Sequence, residues 1–178
     1  EISESGRIIS ISNSFKEQIT IFANKLYQSK INPSKVYIGE RAGITSVEFV
    51  NGKWNLNKNK RYFEKEIGFT IKSIAEDSKG NRWLGTYVNG IIKLSDNNTK
   101  LEMYGVENGL PTNNGIQVFN FDNTIYFGTY KGLYTFDYEN NKFIKTGLPS
   151  DQSSFLDYYL YRMVPTQKGY ILACQKND

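Results

Sequence analysis

The chain has 178 residues, enough for one domain with a sizeable core, and its 39% hydrophobic and 22% charged content is globular rather than disordered. Its 22 Lys and Arg against 18 Asp and Glu leave a net charge of +4, scattered singly along the first 60 residues; without dense basic clusters, a nucleic-acid partner is not expected. The absence of histidine excludes imidazole-dependent triads and His-based metal sites, and the single Cys174 excludes an internal disulfide.

No stretch approaches the ~20 apolar residues of a membrane span. No signal peptide is visible, and the start at Glu1 suggests a processed or trimmed piece of something longer. The 13 Tyr and 11 Phe favour strands over helices, and 15 Gly suit a chain with many tight turns.

Taken in chain order, Arg7–Ser12 and Gln18–Phe22 read as the last two strands of a sheet unit that occupies residues 1–24. The first complete unit, 25–68, has strands at Leu26–Ile31, Lys35–Gly39 and Gly43–Val50, a turn at Asn32-Pro33-Ser34, and an outer strand within 53–66. The second, 69–112, reads Ile71–Glu76, a polar turn Asp77-Ser78-Lys79-Gly80-Asn81, Arg82–Thr86, Gly90–Ser95 and Lys100–Tyr104, with Gly105–Asn114 crossing to the next unit. The third, 113–152, has strands at Ile116–Phe121, Thr124–Thr129, Gly132–Asp137 and Lys142–Thr146. In 153–178, Tyr159–Pro165 and Tyr170–Cys174 read as the first two strands of a further unit.

A repeat ties these units together. Val36-Tyr37-Ile38-Gly39, Arg82-Trp83-Leu84-Gly85, Ile125-Tyr126-Phe127-Gly128 and Tyr170-Ile171-Leu172-Ala173 align, with their fourth residues spaced 46, 43 and 45 apart. That period is one four-stranded propeller blade of about 40–50 residues. The fold expected is therefore an all-β propeller of antiparallel four-stranded blades, three whole between two halves. Either the two halves complete one another in a four-bladed ring, or the chain is a slice of a larger, roughly seven-bladed propeller. A slice exposes blade faces, so the remaining blades or another copy of the chain are expected to cover them.

The run Ile71–Glu76, Asp77-Ser78-Lys79-Gly80-Asn81, Arg82-Trp83-Leu84-Gly85-Thr86, then Asn89-Gly90-Ile91, resembles the two-component regulator propeller repeat. Residues 116–134 match it more loosely and 26–44 depart further, with Glu40 where Thr is usual and Pro33 in the turn. The resemblance implies a non-catalytic sensing segment, periplasmic or extracellular, of a bacterial two-component signalling protein. Its membrane helix and kinase or other output module would lie in parts of the parent outside this chain. It also implies a glycan or other small ligand, and no cofactor.

Strand directions place second-to-third connections on the same rim as the crossings between blades. That rim gathers Glu40-Arg41, Tyr87-Val88-Asn89, Tyr130-Lys131, Asn113-Asn114 and Leu148–Ser150, and propeller ligands commonly sit where such loops converge. The ligand-binding candidates are Arg41, Tyr87, Asn89, Asn113, Asn114, Tyr130 and Lys131. Tyr87 and Tyr130 hold equivalent places in successive blades, where they either stack on a flat ligand or pack between blades. Tyr37, Trp83, Tyr126 and Tyr170 share one strand position and are expected in the core. Asp77 and Asp122 open turns, where carboxylates cap amides. Glu64 and Glu66 share a face, conceivable as a glycosidase pair but better read as solvated edge charge. Asp157-Tyr158-Tyr159 with Tyr161 forms an aromatic cluster whose alternation puts Tyr159 and Tyr161 on one side. No catalytic or metal constellation recurs at fixed spacing. The competing functions are a protein–protein interaction scaffold and, without histidine, a carboxylate- or metal-dependent propeller lyase or hydrolase.

Overall fold

The computed structural model describes residues 23–56, 69–97, 100–147, 158–166 and 169–176. The expected strands Arg7–Ser12 and Gln18–Phe22, the pair Glu64 and Glu66, the rim segment Leu148–Ser150 and Asp157 lie outside the described residues.

Within them, three four-stranded antiparallel sheets follow one another. The first holds β1 (Lys25–Gln28), β2 (Lys35–Glu40), β3 (Gly43–Val50) and β4 (Lys53–Leu56). The second holds β5 (Ile71–Glu76), β6 (Arg82–Thr86), β7 (Ile91–Leu94) and β8 (Leu101–Tyr104). The third holds β9 (Gln117–Phe121), β10 (Thr124–Thr129), β11 (Gly132–Asp137) and β12 (Lys142–Thr146). A hairpin of β13 (Tyr158–Thr166) and β14 (Gly169–Lys176) follows, with β13 against β9, β10 and β11. In every sheet each strand pairs with its sequence neighbour, the meander of a propeller blade.

Turn chemistry sets the strand ends. β1 stops at Gln28 because Ser29 begins a turn, its amide donating to the Lys35 carbonyl and its hydroxyl accepting from the Asn32 amide. Asp122 and Asn123 have φ of 46° and 60°, so both central residues of the β9–β10 turn are left-handed, as a two-residue type I′ hairpin requires. Gly90 has φ 69° and its amide donates to the Asn113 carbonyl, so it belongs to the β6–β7 connection and β7 begins at Ile91.

The repeated second strand is what stacks the blades. In β6, Trp83 joins the core shared with the third blade, whereas Leu84 belongs to the core shared with the first. Tyr37 lies in the core between blades one and two, and Phe127 in that between two and three. The aromatic at the repeat's second position thus faces the next blade and its neighbour faces the preceding one, as the two-residue strand period dictates. The fourth position faces the next blade at close range. A Cβ on Gly39 would lie 2.8 Å from Ile71 Cγ2, and one on Gly85 would overlap the Ile116 carbonyl and the Ser73 hydroxyl. Glycine recurs there because the next blade's first strand leaves no room.

Polar side chains bolt the blades together. Glu76, buried at the end of β5, accepts from the Ser29 hydroxyl at 2.8 Å and the Lys30 amide at 2.9 Å in the first blade. Its own carbonyl accepts from Asn120 Nδ2 at 2.6 Å in the third. The Ser73 hydroxyl donates to the Ile116 carbonyl at 3.3 Å and accepts from the Val118 amide at 2.9 Å. Arg82 is fully buried: its guanidinium donates to the carbonyls of Gly80, Ser95 and Asp96 and lies 5.2 Å from the Tyr37 ring centroid.

Candidate functional site

The crossing rim is built from the β2–β3 and β6–β7 connections, the β10–β11 turn and the 105–115 crossing. These segments are stitched by hydrogen bonds to backbone carbonyls. The Arg41 carbonyl accepts from the Thr70 hydroxyl at 3.5 Å, and the Thr70 carbonyl accepts from the Tyr87 amide at 3.1 Å. The Tyr87 carbonyl accepts from the Gly115 amide at 2.9 Å, and Tyr130 Oη donates to the Pro111 carbonyl at 3.4 Å. One continuous rim therefore carries Arg41, Tyr87, Asn89, Asn113, Asn114, Tyr130 and Lys131.

Their roles on that rim differ. Tyr87 and Tyr130 are 60% and 41% exposed, so neither ring is packed between blades; each presents surface to solvent. Lys72 Nζ lies 5.0 Å from the Tyr87 ring centroid and Lys131 Nζ lies 5.6 Å from that of Tyr130, so each ring carries an ammonium. Lys72 reaches Tyr87 because β5 bulges between Ile71 and Ser73, which keeps both neighbours buried while Lys72 turns outward. Asn113 works within the loop: its Oδ1 accepts from the Val106 amide at 2.9 Å. The Asn89 amide donates to the Thr86 hydroxyl at 2.8 Å, shaping the β6–β7 connection. Asn114 and Arg41 are exposed. Lys72 was not among the sequence candidates, because a bulge that rotates one residue out of an alternating strand leaves no mark in the pattern.

Tyr159 reaches the same rim, its hydroxyl donating to the Gly115 carbonyl. The pairing of β13 with β14 shifts between Leu160 and Arg162, which leaves Tyr161 in a bulge.

The core aromatics sit as expected where they are described: Tyr37, Trp83 and Tyr126 are buried. Asp77 caps its turn. Oδ1 accepts from the amides of Lys79 and Asn81 at 3.0 and 2.9 Å, and Oδ2 accepts from Asn81 Nδ2 at 2.9 Å and Trp83 Nε1 at 3.2 Å.

A second concavity lies on the opposite rim, where the hairpin turns of blades two and three meet. It is a cleft of about 210 Å³ lined by Asp77, Ser78, Lys79, Asn123, Thr124, Ile125, Thr135, Phe136 and Tyr138. Sequence reasoning missed it because its walls come from two blades, and Tyr138 follows β11 at a position the repeat does not mark.

No protein-family model and no curated protein matches the chain. Solved structures do. The chain is similar to the extracellular domain of the hybrid two-component system BT4673 of B. thetaiotaomicron, at TM-score 0.57 and 24% identity over 82% of this chain and 18% of that one. A second structure of that domain, described as a one-component system, gives TM-score 0.55 and 25% identity over 79% of this chain and 18% of the other. The extracellular domain of the hybrid two-component system BT3049 from the same organism gives TM-score 0.58 and 21% identity over 93% and 22%. The chain thus spans about a fifth of the length of the structures it matches, and shares their fold over most of its own. These neighbours match the sensor-region family that the repeat around Trp83 resembles.

Proposed function

We propose that the chain is a segment of an extracytoplasmic sensing propeller from a bacterial two-component signalling protein, one that binds a ligand at the crossing rim without transforming it. The observation that carries this reading is the likeness, at 24% and 21% identity, to extracellular domains of hybrid two-component systems. The repeat at 71–91 supports it independently. The small share of the neighbours' length that is covered supports a slice of a larger ring, roughly seven blades, over a closed four-bladed one. On the rim, two exposed rings at equivalent blade positions, each beside an ammonium, suit stacking on a sugar or another flat ligand.

Two experiments test this. In the parent gene, a membrane helix and an output module after the propeller are expected; their absence would sink the signalling half. A panel of oligosaccharides is screened by thermal shift on the full chain. At least one is expected to raise the melting temperature of the wild type and leave the Tyr87→Ala/Tyr130→Ala variant unmoved. A panel without a hit, or a hit that persists in the variant, overturns the rim assignment.

A further inference from the structure

The cleft between the hairpin turns of blades two and three has the parts of a binding site that the rim reading does not use. Its fixed element is Tyr138, which is 57% exposed yet held edge-on by Phe136 at 5.1 Å and 86° and by Trp83 at 6.4 Å and 82°. Lys93 Nζ lies 5.5 Å from the Tyr138 centroid and 5.1 Å from that of Trp83, so one approach to the ring is already filled. Lys93 also lies 3.6 Å from Glu102, a carboxylate it shares with Lys100 at 2.9 Å.

The cleft carries charge of both signs, from Lys79 and Asp77, and the two differ in how they are engaged. Lys79 Nζ lies 6.0 Å from the Tyr138 centroid, and among the described residues no carboxylate pairs with it. The Asp77 carboxylate beside it is already engaged by four donors, three from its own turn and the Trp83 Nε1 of β6. The remaining walls offer hydroxyls and an amide, from Ser78, Thr124, Thr135 and Asn123, around the apolar Ile125 and Phe136. At about 210 Å³ the cleft falls below the usual range of about 300–1,000 Å³ for drug-sized ligands. It suits one ring.

We propose that this cleft binds a single polyhydroxylated ring bearing one carboxylate, a sugar acid of hexuronic type. The ring lies on Tyr138, the hydroxyls meet the Ser78, Asn123, Thr124 and Thr135 side chains, and the carboxylate takes the Lys79 ammonium in a charge-assisted hydrogen bond. The exposed cation–π contact that Lys79 now makes is weak, and its flexible stem lets the ammonium move to the ligand. The proposal rests on the cleft alone and not on the sensing reading, since cleft and rim lie at opposite ends of the blades.

The test is ligand-observed NMR on the full chain with D-glucuronate, D-glucose and benzoate. D-glucuronate is expected to bind about tenfold more tightly than either of the other two, the gain of one charge-assisted contact and of the hydroxyl set respectively. Its affinity is expected to weaken with added salt, to fall about tenfold in Lys79→Met, and to be unchanged in Lys53→Met, an exposed lysine on β4. No binding of D-glucuronate, equal binding of D-glucose or benzoate, or a Lys79→Met variant that binds as the wild type does, would each overturn it. Failure here leaves the oligosaccharide screen on the Tyr87 and Tyr130 rim to stand or fall separately.

Discussion

Replacing Trp83 by Ala removes the largest side chain of the core between blades two and three. Trp83 is fully buried, and the rings of Tyr104, Phe127, Phe136 and Tyr138 lie 5.8, 5.3, 5.1 and 6.4 Å from it. Truncating a buried aromatic of this size costs about 3–5 kcal/mol, because rings fixed by strands cannot close around the cavity. The Nε1 donor to Asp77 is lost as well, but that carboxylate keeps its three other donors within the turn, so this adds only about 0.5–1 kcal/mol. The expected loss is therefore about 3.5–6 kcal/mol. Trp83→Phe keeps a ring and should lose about 1–2 kcal/mol. Trp54 is the internal control: it is 36% exposed on β4 with Phe49 as its ring neighbour at 5.2 Å, and Trp54→Ala should cost about 1 kcal/mol. Urea unfolding followed by circular dichroism gives all three values from midpoints at constant slope. If Trp83→Ala costs no more than Trp54→Ala, the aromatic position of the repeat is not what holds neighbouring blades together, and the packing argument fails.

Gly85→Ala puts a methyl into the Ile116 carbonyl and the Ser73 hydroxyl, so blades two and three must separate locally; a loss of about 1–3 kcal/mol in the same urea assay is expected, and a neutral result would refute the close-approach explanation of the repeated glycine. Burial pushes the Tyr104 hydroxyl up to about 12, with the Glu102 charge acting in the same direction, and Tyr27 is raised likewise by burial, to about 12. Both folded values exceed the unfolded one near 10, so the stability they contribute is complete below about pH 10 and is lost as pH rises toward 12. For Tyr104, which is 5% exposed, the loss is about 3 kcal/mol, and Tyr104→Phe should flatten the fall in stability between those limits by that amount; an unchanged pH profile would contradict the burial of its hydroxyl.

The sequence by itself determined the blades. A four-residue strand recurring every 43 to 46 residues, closed by glycine in three of its four copies, locates most of the strand-and-turn plan; observed strands differ from it by a few residues at their ends. The reason is that strand periodicity and turn conformation are set by residues within a few positions of one another, so each hairpin carries its own instructions. The rim could be drawn up from strand direction alone, for the same reason. Tertiary structure decided everything that depends on two blades meeting. Whether Tyr87 and Tyr130 pack or face solvent turns on how neighbouring loops fill the rim, and no pattern within one repeat encodes that. Arg82 reads as a polar strand start but is buried, because two of its three carbonyl acceptors come from the β7–β8 turn and Tyr37 of the previous blade lies across it. The Tyr138 cleft joins the β5–β6 turn to residues 44 and more positions further on. Hairpins are local and legible; surfaces between blades are long-range, and only the stacked sheets bring their residues together.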